Sequence, residues 1–142
     1  MFQLYSKGCE YAIKALIQMQ DPNQNYDAEG ICKRARIPES FSRKIFQALV
    51  RGKFLRAVPG PGGGYQSRKH AKKITVLDIV RAVDGPKAFN SCIMGLSICG
   101  KESPCPLHES WAKAKFHLIE ELEGKKLLDL IHHQNRKKIS KK

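Results

Sequence analysis

A chain of 142 residues with 42% hydrophobic composition suits one ordinary domain, with room for an appended helix and none for a second large domain. Its 26 Lys and Arg against 13 Asp and Glu give a formal charge of +13, a balance that favours a polyanionic partner over a neutral small substrate. No stretch approaches ~18 apolar residues, and the start, MFQLYSKGCEYAIKALIQMQ, has no uninterrupted apolar run, so a signal peptide and a membrane span are disfavoured and a cytoplasmic location is expected.

Ser6 is placed to cap a first helix whose apolar positions Cys9, Ala12, Ile13, Leu16 and Ile17 fall on one stripe. The polar run 21–25, DPNQN, ends it. Asp27 caps a short second helix that turns Ala28, Ile31, Cys32 and Ala35 inward, which assigns Cys32 to packing. Ile37-Pro38 starts a third helix that runs to about Arg51, with Gly52 as its stop. On a helical wheel Phe41, Ile45, Ala48 and Leu49 share one arc, and Ser40, Arg43, Lys44, Gln47 and Arg51 the other. The outer arc carries the side chains that reach base edges and phosphates of double-stranded DNA, so a helix-turn-helix is expected, with these five as DNA-binding candidates.

Beyond Gly52 the pattern becomes a β-hairpin: a strand over 53–58, the tip PGPGGG, and a second strand from Tyr65. Gly62, Gly63 and Gly64 bring backbone N–H groups close to whatever the tip touches, while Pro59 and Pro61 stiffen it. The G-x-x-x-x-G-K-[ST] nucleotide pattern is absent. A hairpin directly after a recognition helix reads as the wing of a winged helix, with Gly62, Gly63, Gly64 and Tyr65 at the DNA and Arg56, Arg68, Lys69, His70, Lys72 and Lys73 supplying phosphate-binding charge. From Lys33 to Lys73 twelve Lys and Arg face a single acid, Glu39. Thr75 and Asp78 form a short capping box for the next helix, buried through Val76, Leu77, Ile79, Val80 and Val83 and stopped at Asp84-Gly85-Pro86.

The segment Cys92 to His108, CIMGLSICGKESPCPLH, spaces its ligand-type residues C-x6-C-x5-C-x2-H. Five cysteines, an odd number, read in a reducing compartment as metal or redox chemistry. Thiolates suit iron–sulfur clusters, zinc or copper(I), and histidine adds a borderline nitrogen donor. Cys92, Cys99 and Cys105 are therefore candidate metal ligands, joined by His108, one helical turn after Cys105. A last long helix follows, apolar at Trp111, Ala114, Leu118, Ile119, Leu122, Leu128 and Ile131, with Gly124 as a weak point. So long a stripe beyond a small module points to pairing with a second copy; the alternative is that it folds back on its own domain.

With SKG and EYAIKAL, the helix-turn-helix, PGPGGGY, TVLDIVRAVDG and CIMGLSICGKESPCPLH, the chain resembles the IscR/NsrR family of bacterial iron–sulfur transcription regulators over nearly its whole length. The resemblance implies a homodimeric winged helix with its dimer interface on the long helix after the cluster. With the patterns above it gives a mainly α fold with a small β-hairpin wing: a winged helix-turn-helix over 1–85, a cluster-binding loop over 86–108 and a long C-terminal dimerisation helix over 109–134. The basic tail over 135–142, from its run of like charges, is a disordered extra contact or plain solubility. The resemblance also implies a homodimer whose operator binding depends on an iron–sulfur cluster. The first interval departs from the family, six residues where the best-known members have five, and the cluster type expected here is two-iron two-sulfur in preference to four-iron four-sulfur. His108 matches the fourth ligand of some relatives; Glu10 matches an acidic ligand that others take from the first helix. Two rival readings use the same cysteines: a zinc-stabilised DNA-binding protein, although zinc sites space their cysteines more closely, and a thiol-based redox sensor. No carboxylate pair, nucleophile–base spacing or cofactor fingerprint suggests an enzyme.

Overall fold

Ser6 starts the first helix, α1 (Lys7–Gln18), by accepting the Cys9 N–H on its hydroxyl at 3.1 Å. One face of α1 buries Cys9, Ala12, Ala15, Leu16 and Ile17, with Ile13 half-buried beside it. Asp27 caps α2 (Ala28–Ala35) through the Gly30 N–H at 2.8 Å. The turn into α3 (Glu39–Arg51) passes through Arg36 in the left-handed region, φ 56°. The computed structural model describes residues 4–86, 88–90, 92–94 and 105–141.

The buried side of α3 is Ile45, Phe46, Ala48 and Leu49, which corrects the wheel at one position: Phe41 is 46% exposed and Phe46 takes its place in the core. The hairpin widens the buried arc on that side. Tyr65 stacks on Phe46 at 4.7 Å between ring centroids, so the wing covers that flank of the helix. Strands β1 (Leu55–Val58) and β2 (Gly64–Ser67) pair antiparallel with Leu55 opposite Ser67 and Val58 opposite Gly64. The strand expected from Lys53 begins two residues later, because Lys53 itself turns through φ 64°. On its other edge β2 is bridged to Tyr26, whose N–H and C=O both bond Tyr65 at 2.8 Å. That close approach requires glycine at position 64, where φ is 137° and a Cβ would lie 2.3 Å from the Tyr26 oxygen.

A 3-10 turn, Ala71–Lys73, leads to α4 (Val76–Asp84), which carries the expected capping box: Asp78 N–H to Thr75 Oγ1 and Thr75 N–H to Asp78 Oδ2, both 3.1 Å. The C-terminal segment departs from the single helix expected over 109–134. It forms α5 (His108–Gly124) and α6 (Leu127–Ser140), and the tail expected to be disordered is helical through Ser140. The break follows Gly124 and is set by pairing: Val76 N–H bonds Lys125 C=O at 2.8 Å, and Leu127 N–H bonds Ile74 C=O at 2.9 Å. Leu127 and Ile131 then enter the main core at 2% and 3% exposure, so α6 folds back on its own domain. Among the described residues no helix is long and apolar enough to cross a membrane.

Candidate nucleic-acid interface and cysteine site

On α3 the side chains of Ser40, Arg43, Lys44, Gln47 and Arg51 are all exposed, on the face opposite Ile45, Ala48 and Leu49. Lys44 and Arg51 lie toward α1, where they line a groove with Ser6, Lys7 and Phe41, and Arg43 lies outside that groove. Arg43 thus stands on the open face, and Lys44 and Arg51 on a cationic flank.

The hairpin is likewise uneven in charge. Residues 57–66 read AVPGPGGGYQ and carry no charge, so the tip offers only backbone donors and shape. Gly60 and Gly62 adopt φ 86° and 72° there, and Gly63 N–H closes the turn on Gly60 C=O at 3.0 Å. The wing's charge sits at its base, where Arg56, Arg68, Lys69 and His70 line a cleft of about 370 Å³ together with Asn23 and Gln66, and no carboxylate is among its lining residues. Arg56 donates to Gln66, Gln66 to Asn25 Oδ1 at 2.5 Å, and Asn25 to Gly62 C=O at 3.2 Å, a ladder that ties the hairpin to the loop before α2. Arg68 reaches the Leu55 carbonyl at 3.5 Å. Tyr65 is half-buried with its ring on Phe46, so it holds the wing to the body of the domain.

Of the predicted metal ligands, Cys99 lies outside the described residues. Cys92 and Cys105 are brought together: their sulfurs stand 3.6 Å apart, Cys92 at 7% exposure and Cys105 half-buried. A disulfide would need about 2.0 Å. Two thiolates on one tetrahedral metal at about 2.3 Å each would be about 3.8 Å apart, so the donor pair fits a shared metal or cluster iron. His108 is the first residue of α5, its N–H bonded to the Cys105 carbonyl at 2.9 Å. Among the described residues alone no group of three His, Cys, Asp or Glu side chains converges tightly enough to hold a metal ion. Glu10 is ion-paired with Lys14 at 2.9 Å and Lys7 at 3.0 Å, and their hydrogen bonds, Lys14 first, hold its carboxyl below the usual range. Cys9 and Cys32 are core residues; burial, with the Asp84 charge as a lesser cause, pushes the Cys9 thiol up to about 12, and burial raises Cys32 as well.

Two short helices joined by a tight turn, the second presenting a polar, cationic face, followed by a glycine-tipped hairpin, define a winged helix-turn-helix protein. The comparison with known families agrees and is specific: the chain belongs to the Rrf2 family, described as "Iron-dependent Transcriptional regulator", whose model matches residues 5–133. It is 30% identical over 131 residues to a candidate HTH-type regulator, ORF2 of Azotobacter vinelandii, covering 91% of this chain and 79% of the relative. It is 28% identical over 134 residues to the HTH-type transcriptional regulator IscR of Photorhabdus laumondii, covering 93% and 80%. In fold it is similar to CymR, the global cysteine regulator of B. subtilis, with a TM-score of 0.72 at 21% identity over 94% of this chain and 98% of that one. The expected family and fold are thus borne out; the protein is one of a family of DNA-binding transcriptional regulators, not enzymes.

Proposed function

We propose that the chain acts as a homodimer on an operator in double-stranded DNA, and that an iron–sulfur cluster held by Cys92, Cys99 and Cys105, with His108 as fourth ligand, controls that binding. The observation that carries the cluster is the 3.6 Å approach of two sulfurs thirteen positions apart, next to the histidine that opens α5. Imidazole ligation has precedent on two-iron clusters, which favours the two-iron two-sulfur type. When bound, the cluster supplies an electron-transfer centre sensitive to oxidants. The chain's own part is to gather the thiolates beside α4 and α5 and to present α3 to the major groove and the wing to the adjacent minor groove. Because the wing tip is uncharged, its phosphate contacts fall to Arg56, Arg68, Lys69 and His70 at the base. A hairpin of four-residue strands extends about 13 Å, more than the ~7.5 Å depth of a minor groove, so the groove wall lies within reach of that base.

Purification without oxygen, followed by iron and sulfide analysis and a visible spectrum, tests the reading. Cys92→Ala, Cys99→Ala and Cys105→Ala are each expected to lose iron; normal iron in all three would overturn it, as would stoichiometric zinc in a colourless sample. In His108→Ala a shifted spectrum is expected, whereas an unshifted one with cluster loss in Glu10→Ala would move the fourth site to Glu10. A second reading rests on the same pair: sulfurs 3.6 Å apart need little movement to bond, which suits a thiol switch without metal. Iron-free protein whose DNA affinity changes when an added two-electron oxidant such as hydrogen peroxide converts the Cys92 and Cys105 thiols to a disulfide would establish that reading instead.

A further inference from the structure

Ser6 and Asp84 are 78 positions apart and joined twice: the Ser6 N–H donates to Asp84 Oδ2 at 2.8 Å, and the Ser6 hydroxyl donates to Asp84 Oδ1. The same hydroxyl accepts from Cys9 N–H, so one residue both starts α1 and fastens it to the last residue of α4. Asp84 is also the residue at which the chain leaves α4 for Gly85-Pro86 and, eight positions on, Cys92. The fastened end of α1 borders the recognition helix: Ser6, Lys7 and Asp84 share a groove with Lys44 and Arg51, and one turn further along α1 the Tyr11 ring meets Phe41 at 5.7 Å. Three parts of the protein therefore meet at one carboxylate: the entry to the cysteine site, the start of α1 and the flank of α3.

We infer that Asp84 is a positioning residue through which the state of the cysteine site sets the placement of α1 against α3, and hence the fit of Arg43, Lys44 and Arg51 to DNA. The inference rests on the gating reading above and adds to it the residue that does the coupling. A carboxylate accepting two hydrogen bonds holds its donors in one geometry, and charge-assisted bonds of this type are stronger than neutral ones. A rearrangement of the cysteine segment that tilts the end of α4 moves Ser6 with it, because both bonds join the residue that starts α1 to the Asp84 carboxylate. Coupling of this kind needs a discrete element that both sites bias, and the Ser6–Asp84 pair, made or broken, is such an element.

The test compares operator dissociation constants of the cluster-bearing and cluster-free full-length protein in wild type, Asp84→Asn, Ser6→Ala and Ser6→Thr. If gating operates, the wild-type ratio falls in the range of about 5- to 150-fold typical of allosteric coupling. Asp84→Asn and Ser6→Ala are expected to keep wild-type iron per chain while their ratio collapses to within about two-fold; Ser6→Thr, which keeps the hydroxyl, is expected to retain it. Asp27→Ala serves as the control, since it removes the cap of α2 without touching the pair and should leave the ratio intact. A wild-type ratio of one overturns the gating reading itself. A wild-type ratio that survives in Asp84→Asn with iron intact overturns the role of Asp84 alone.

Discussion

Arg43 and Lys44 are adjacent on α3, yet the first lies on the open face and the second on the groove shared with α1. Arg43→Ala should reduce operator affinity by about 1–3 kcal/mol and relax the preference at one base pair, because a guanidinium can bond guanine through two hydrogen bonds. Lys44→Ala should weaken all sequences alike. A binding-site selection checks both, and an unchanged preference in the Arg43 variant would reject the assignment. The cysteines differ as sharply. In cluster-free folded protein, iodoacetamide should modify Cys105 ahead of Cys92 and leave Cys9 and Cys32 untouched, as read by mass spectrometry; early labelling of Cys9 would contradict its burial. The Cys9 pKa is raised on folding, so the stability its protonated thiol contributes is fully present below the ordinary thiol range, around 9, and is lost as pH rises toward about 12. Urea unfolding at pH 8 and pH 10 should show that loss, reduced in Cys9→Ala.

At the scale of elements, three helix starts were legible because each is a local bond within three residues, Ser6 to Cys9, Asp27 to Gly30 and Thr75 to Asp78, and the start of α3 was legible from Pro38 alone. The break between α5 and α6 was not, since it depends on Lys125 and Leu127 finding Val76 and Ile74, distant in sequence. The choice of Phe46 over Phe41 likewise awaited Tyr65, and the Ser6–Asp84 pair has no local signature at all. The cysteine spacing, by contrast, pointed to Cys92 and Cys105 as partners, because three thiols in one short loop have few other uses. If α6 is an integral part of the core, Leu127→Ala should cost about 2–4 kcal/mol in a chemical unfolding experiment. A loss under about 0.5 kcal/mol would mean that α6 is an appendage, as tolerant as ordinary surface.

For the whole molecule, charge and apolar surface assign separate roles. Binding should fall steeply with salt, by a slope near 0.9 for each phosphate engaged in a plot of log affinity against log salt; Lys69→Ala should lower the slope by about one such increment. A flat plot would leave the charge of residues 33–73 without a partner. Of the apolar stripe expected to pair two copies, Trp111 and Ile131 are already buried in one chain and Leu118, Ile119 and Leu122 are half-buried; Phe116 on α5, which the stripe did not include, is 66% exposed. Phe116→Glu should therefore shift a homodimer to monomer in sedimentation at micromolar concentration. An unchanged sedimentation coefficient would remove α5 from the interface.

The bond from Val76 to Lys125 also makes the domain a closed ring in a topological sense. α4 is itself part of the core through Val76, Ile79 and Val80, so the two ends of the chain that follows it, Asp84 and Lys125, are both fixed to the domain, the second beside the anchored Leu127. A peptide bond cut anywhere from 86 to 105 would then separate the polypeptide without separating the particle, since α6 remains held by the core it helps to build. Two such fragments, made apart and mixed, should find each other and co-elute in gel filtration; fragments that stay apart would show that α6 does not hold the cut chain together.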